Sequence, residues 1–320
     1  MISLPKIFKK KQKESEFLVL EIGLERINCA IFRDEGSQIK LVGVGRKKFS
    51  SNDEIFNSCI EALDSLAAIV SDFPREGILG IAGGSLETIT TIARFDREKP
   101  KREIDVGETQ AVLKQVVESI EKPDKKIFFT SIANAKIDGV RVTNPIGLKG
   151  KKVELSCFVA LKSIKEIELL EKIADEIDLK LERVVPTAFS VAKILEHKNL
   201  KDALLLRAAA EKSELTILED GNVSEVLPVN LGLAEENLLP LVWESALKEA
   251  KKETLPDLVW IFGDHDSVNL EKLKELLSSY DWAAGLKFPV NPKIEIAEAV
   301  HNFSPSDIGL YALGQEGVDI

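Results

Sequence analysis

The chain has 320 residues, 43 Lys and Arg against 53 Asp and Glu, a net charge of −10, and 44% apolar side chains. That length and apolar share exclude a small stapled module and a disordered chain, and leave room for roughly two domains of ordinary size. The negative balance speaks against nucleic-acid binding, which needs clustered cations to neutralise phosphates. Cys29, Cys59 and Cys157 are odd in number and far apart, so they read as reduced, buried thiols and not as a disulfide framework or a metal site. No run of about 18 apolar residues occurs and no apolar stretch follows the basic first residues, which reads as no membrane-spanning helix and no signal peptide.

Residues 1–16, MISLPKIFKKKQKESE, carry five Lys and two Glu, opposite in sign to the rest of the chain. Ile2, Leu4, Ile7 and Phe8 alternate with Lys6, Lys9, Lys10 and Lys11. One reading presses this apolar patch into an anionic membrane surface, with about 1 kcal/mol from each lysine at the headgroups. The other is a solvated tail, and Pro5 opposes one continuous helix.

From residue 17 the pattern becomes β-like: FLVLEIG (17–23), INCAIFRD (27–34), a turn at Glu35-Gly36-Ser37, and QIKLVGVGRKKF (38–49). These short connections predict antiparallel hairpins. The stretch 53–72 follows with Ile55, Phe56, Cys59, Ile60, Leu63, Leu66, Ala67 and Val70 at helical spacing, capped by Asn52 or Ser51. The same order returns further on: ALLLRAAA (203–210), SELTILE (213–219), a turn at Asp220-Gly221, NVSEVLPVNLG (222–232), then a helix over 236–253 interrupted early by Pro240. Between the copies, strands at 88–96, 126–133 and 153–161 surround a helix at about 108–121, and 162–179 is an amphipathic helix. LVWIF (258–262) is a short buried-type strand, and SPSDIGLYALG (304–314) opens with a cap signal and closes as a helix. A β-β-β-α unit met twice predicts a duplicated α/β fold of two lobes around a cleft, with an α+β insert in the first.

That layout resembles the superfamily of actin, heat-shock chaperones and sugar kinases, built on a ribonuclease H-like lobe. Within it, the chain is similar to the bacterial actin homologues FtsA and PilM. ILGIAGGSLETI (78–89) is similar to the strand and glycine pair that open the family's SHS2-type insert, and DGVRVTNPIGLKGKKVELSCFVA (138–160) to the end of that insert in FtsA. LERVVPTAFSVAKIL (181–195), the 220–232 segment and DIGLYALG (307–314) follow in family order. The resemblance implies a first lobe from 17–84 plus 161–190, an SHS2-type insert at 85–160, a shortened second lobe at 191–304, and a closing helix about 305–316 that returns to the first lobe.

In this superfamily two hairpin turns cradle phosphates with glycine amides and small hydroxyls, while acidic residues hold magnesium through water. Here the first turn keeps Gly23 and has Glu21 for the usual Asp, but Leu24, Glu25 and Arg26 replace the small residues and Asn28 a common Lys. In the second turn Arg207 replaces the metal-facing Asp; Ala209, Ala210 and Glu211 replace glycines, and Lys212 and Ser213 replace threonines. Val185 stands where an acidic residue is usual, and the adenosine glycines become Gly263, Asp264 and His265. Cβ atoms at 209–211 obstruct a close backbone approach, and a carboxylate near a triphosphate costs about 3 kcal/mol per charge pair at ~5 Å and an effective dielectric of ~20. The implied site is degenerate: no catalytic residue, no metal and no cofactor is expected, with ATP and magnesium at most weakly held. Two readings of the cations remain: Arg207 and Lys212 retain some anion, or Arg207, Glu211, Lys212 and Glu214 form a surface-like ion-pair network closing an empty cleft.

Asp264-His265-Asp266 reads as a solvated turn, since adjacent loop residues seldom converge on one ion. His197 and His301 lie in no nucleophile motif, and Trp243, Trp260 and Trp282 are dispersed and read as core or interface. The resemblance then implies a non-catalytic scaffold at the cytoplasmic membrane face. FtsA similarity implies cell division, and the insert motif favours it. PilM similarity implies a type IV pilus assembly platform, favoured by the basic tail, by the lack of an amphipathic helix after Gly314 and by the short 232–258 segment. An active ATP-binding member of the superfamily is the remaining alternative. Implied partners are cytoplasmic or inner-membrane assembly proteins, an anionic membrane surface, and the chain itself through the insert; nucleic acid is not among them.

Overall fold

The computed structural model describes residues 15–319, apart from 37, 85, 121, 143, 198–200, 251, 265–267, 285–287 and 298–302. The membrane-contact candidates Ile2, Leu4, Lys6, Ile7, Phe8, Lys9, Lys10 and Lys11 lie outside the described residues, as do His265 and His301.

The first hairpin pair is β1 (Glu16–Ile22), β2 (Arg26–Asp34) and β3 (Ile39–Lys48), followed by α1 (Ile55–Ala67) and β4 (Glu76–Ile81). β1 and β2 are buried almost throughout because helices cover both faces of their sheet, which is why they read as apolar runs without clean alternation. α1 starts later than the spacing predicts: Ser51 heads a 3₁₀ turn at Asn52–Glu54, makes no side-chain cap, and leaves Glu54 as the residue before the helix. α1 lies close against the sheet at Gly45, where any Cβ would stand 2.0 Å from the Ala62 carbonyl oxygen.

The chain then builds β5 (Glu87–Asp96), α2 (Val106–Ile120), β6 (Lys125–Ile137), β7 (Val140–Val142) and β8 (Lys152–Ser163). These strands form a four-stranded sheet ordered β5-β8-β6-β7. Val153, Leu155, Cys157 and Val159 of β8 pack with Val112 and Leu113 of α2 on one face. Phe158 of β8 and Phe129 of β6 project the other way, against Phe189. α3 (Ile164–Glu176) is N-capped by the Ser163 hydroxyl, which accepts from the Glu166 N–H, and β9 (Lys180–Pro186) completes the first sheet in the order β3-β2-β1-β4-β9.

α4 (Thr187–His197) leads to β10 (Ala203–Ala208), β11 (Ser213–Glu219) and β12 (Asn222–Val229). α5 (Leu239–Glu249), β13 (Leu258–Gly263), α6 (Leu270–Ser279) and β14 (Lys293–Ile296) follow. The second sheet, β12-β11-β10-β13-β14, repeats the order of the first, with the same mix of antiparallel hairpins and parallel neighbours. Pro240 does not interrupt α5; it sits in the first turn, where a missing N–H breaks no helical bond. Trp243, Trp260 and Trp282 are all core residues.

The last helix, α7 (Ile308–Glu316), is buried on nearly every side, so it has no polar face to give an amphipathic signature. It packs on α4, β1 and β4. Asp307, before its first turn, receives Arg46 at 2.9 Å and Arg26 at 3.3 Å, while Glu316 at its other end meets Arg183, Lys193 and Ser190.

Candidate functional site

Equivalent hairpin turns of the two sheets, residues 22–26 between β1 and β2 and residues 208–213 between β10 and β11, face each other across the cleft. Gly23 is confined there: a Cβ would lie 2.7 Å from the Arg26 carbonyl oxygen and 2.8 Å from Asp264 Oδ1. Leu24 is buried with Ala82 and Ala209 in a small apolar plug joining both turns. Leu24 and Ala209 are therefore used for contact between the lobes.

The charged residues form a reciprocal exchange. Asp264, at the end of β13 in the second sheet, accepts hydrogen bonds from the Leu24 N–H at 3.1 Å and the Glu25 N–H at 3.0 Å, one on each carboxylate oxygen. Glu25, in the first hairpin, accepts from the Ala210 N–H at 3.1 Å and the Glu211 N–H at 2.6 Å of the second, again one on each oxygen. Each lobe thus lays a carboxylate on two successive backbone amides of the other. Gly83, after β4, donates its N–H to Glu214 of β11 at 2.6 Å, a third link.

Arg207 stands between these acids, 2% exposed, with Nη1 2.9 Å from Glu21 Oε1 and Nη2 2.7 Å from Asp264 Oδ1. The contact with Glu21 is ionic without an aligned hydrogen bond, and Glu21 Oε2 accepts from Asn28 at 2.7 Å. Burial alone would lower the Arg207 pKa, but Glu21 and Asp264 outweigh it and the guanidinium is held protonated, above its ordinary value. Burial raises the Glu214 pKa, against the pull of Arg207 and the Gly83 N–H. Arg26 is buried as well and its pKa is lowered by that burial, partly offset by Asp264, Asp307 and Glu21.

Three expectations are corrected. The network is not local or surface-like: strand alternation turns Arg207 and Glu214 inward as cross-strand neighbours, whereas Glu211 is exposed and Lys212 points away, its Nζ 5.7 Å from the Phe49 ring centre. Asp264 is not in a solvated turn; it is fully buried beyond Gly263. Ser213 does not face the cleft with the other turn residues; its hydroxyl donates to the Leu231 carbonyl and accepts from Trp243 in the second-lobe core. No local pattern marks Asp264's role, because its partners Leu24, Glu25 and Arg207 are all distant along the chain.

Neither a protein-family model nor a curated protein matches this chain. Solved structures do. The PilM–PilN type IV pilus biogenesis complex aligns with a TM-score of 0.59 at 14% identity, over 96% of this chain and 99% of that one. The cytoplasmic domain of EpsL, an inner-membrane component of the type II secretion system of Vibrio cholerae, gives 0.45 at 12% identity over 95% and 94%. A Bacteroides thetaiotaomicron protein with an actin-like ATPase fold gives 0.47 at 10% identity over 94% and 96%. With the duplicated sheet order, the chain has an actin-like two-lobed fold, and likeness at these identities is one of fold.

Proposed function

We propose that this chain is a non-catalytic actin-like scaffold that works through protein contacts at the cytoplasmic face of a membrane, as an assembly platform of the PilM kind. The observation that carries the non-catalytic reading is Arg207. A guanidinium ion-paired to Glu21 and Asp264 fills the position where magnesium would need free acidic groups, and a divalent cation placed beside it meets like charge. Glu21, Gly23, Leu24, Glu25, Arg207, Ala209, Ala210 and Asp264 then serve to hold the lobes together, with Glu211 and Lys212 at the mouth.

The assembly reading draws on the fold likeness to a pilus protein described in complex with a second protein, and on an insert whose sheet offers a surface for a partner or a second copy. No helix among the described residues is long and apolar enough to cross a membrane, and the basic, apolar residues 1–13 supply a peripheral attachment. A division role of the FtsA kind is the second reading, favoured by the motif at Asn144–Leu148. This segment is tied into the insert by the Gly147 N–H to the Ile104 carbonyl and the Ile104 N–H to the Leu148 carbonyl.

Calorimetric titration of the full chain with Mg·ATP tests the central claim. The expected result is no saturable binding, and a micromolar, magnesium-dependent isotherm would refute it. Deleting residues 1–13 is expected to abolish sedimentation with anionic liposomes with the circular dichroism unchanged; equal sedimentation would remove the membrane part of the proposal.

A further inference from the structure

The two carboxylates on the hairpin amides differ in one respect. Asp264 is fully buried and also ion-paired to Arg207, so it is fixed from two sides. Glu25 is half-buried at the cleft mouth, and among the described residues its carboxylate accepts hydrogen bonds from the Ala210 and Glu211 amides alone. Two successive N–H groups directed at one pair of oxygens form the kind of concavity that takes a small oxyanion. In this chain the oxyanion is supplied by the opposite lobe.

We infer that Glu25 is a built-in ligand: a tethered carboxylate occupying an anion seat on the second-lobe hairpin, which holds the cleft shut without any free ligand and hides a latent site for a small oxyanion such as inorganic phosphate. The inference rests on the non-catalytic reading of the cleft and adds to it the means by which closure is kept. The tether explains why the glycines of the turn are dispensable. A carboxylate approaching from the first hairpin needs only the edge-on amides of Ala210 and Glu211, while the Ala209 side chain packs on Leu24 and Ala82. The carbonyls of Ala209 and Ala210 are taken by the Leu233 and Ala234 N–H groups, with Gly232 beneath, where a Cβ would stand 2.4 Å from the Ala210 oxygen. The turn is thereby fixed with its amides pointing toward the first lobe, so the seat keeps its shape when its occupant is removed.

The test is a set of thermal melts of the full chain, wild type and Glu25→Ala, in sodium phosphate and in sodium chloride at matched ionic strength. In chloride the variant is expected to melt about 2–4 °C lower, for the loss of two charge-assisted hydrogen bonds. Millimolar phosphate is expected to restore most of that shift, while the wild type melts at one temperature in both salts. The inference is overturned if the variant melts with the wild type, if phosphate restores nothing, or if the wild type gains an equal phosphate shift. If Glu25→Ala does not fold, the same criteria apply to Glu25→Gln, whose single carbonyl oxygen occupies half the seat. Micromolar Mg·ATP binding by the wild type would defeat the scaffold reading itself, whereas a missing phosphate response alongside silent calorimetry would defeat only the tethered ligand.

Discussion

Replacing Arg207 with methionine keeps most of the side-chain volume and removes the cation ion-paired to both Glu21 and Asp264. Both acids are at most 1% exposed and lie 2.9 and 2.7 Å from the guanidinium. With charge centres about 4 Å apart and an effective dielectric of ~20, each pair is worth roughly 4 kcal/mol, and several kcal/mol of guanidinium desolvation are set against the two. What decides the outcome is the state left behind. Two carboxylates remain buried without their ion-paired partner, a situation that costs about 3–5 kcal/mol when one partner of a buried pair is deleted. At the smaller Tm response of a chain this long, that corresponds to a loss of about 6–12 °C. The double variant Arg207→Met with Glu21→Gln is expected to regain part of the loss, since one stranded charge is gone while Asp264 keeps its two amide donors. Differential scanning calorimetry at neutral pH reads both. A single variant within about 1 kcal/mol of wild type would mean that Arg207 is not the internal counter-charge. A double variant no better than the single one would assign the loss to packing.

Glu214 makes stability depend on pH in a definite direction. Its folded-state pKa is raised by burial, so the folded chain keeps a proton that the unfolded chain has released, and stability falls as pH climbs from the ordinary carboxylate value through the raised one. Glu214→Gln carries no such proton and should show a flatter Tm across that window, its gap over wild type widening with pH; parallel profiles would exclude the assignment. Gly45→Ala places a methyl 2.0 Å from the Ala62 oxygen and 2.8 Å from the Leu66 nitrogen, both backbone atoms of α1, and should cost about 1–3 kcal/mol in urea unfolding; an unchanged midpoint would contradict the close packing of α1 on β3. Burial pushes Cys29 and Cys59 up to about 12 and Cys157 to about 11. A thiol reagent such as Ellman's at mildly alkaline pH should therefore react with none of the three until the chain is unfolded, and rapid native-state labelling would refute their burial.

The duplicated β-β-β-α units were legible because turn residues mark their hairpins, as at Glu35-Gly36 and Asp220-Gly221, where Gly36, Asp220 and Gly221 all adopt positive φ. β14 was not, since the four residues Lys293–Ile296 are too few to show a period. The start of α5 was misread for a chemical reason: proline is tolerated in a first helical turn, and sequence alone did not show that the helix begins at Leu239. The cleft residues could be located one by one from the two hairpins. Their pairing could not, because the partners sit on strands brought together only by the closure of both sheets. Arg207, Glu211, Lys212 and Glu214 are neighbours in sequence and invited a local network, while pairing of β10 with β11 turns Arg207 and Glu214 inward together and leaves Glu211 and Lys212 in the turn between them. Asp264 looked hydrophilic beside His265 and Asp266, and nothing local distinguishes a buried acceptor of two amides from a solvated one.

The pinned final helix bears on how the polypeptide is made. α7 covers β1 and β4, and Leu313 sits so near Gly80 that any Cβ there would be 2.1 Å away. Yet residues 308–316 leave the ribosome only after every strand of the other half has been synthesised. The earliest sheet, complete at Pro186, therefore waits with one oily face bare through the translation of roughly 120 further residues before Ile308, an interval in which nascent chains associate wrongly. Completion depends on contacts between the two extremes of the sequence, the slowest kind to form, and trimming this short segment would strand the first half in the condition it occupied during synthesis.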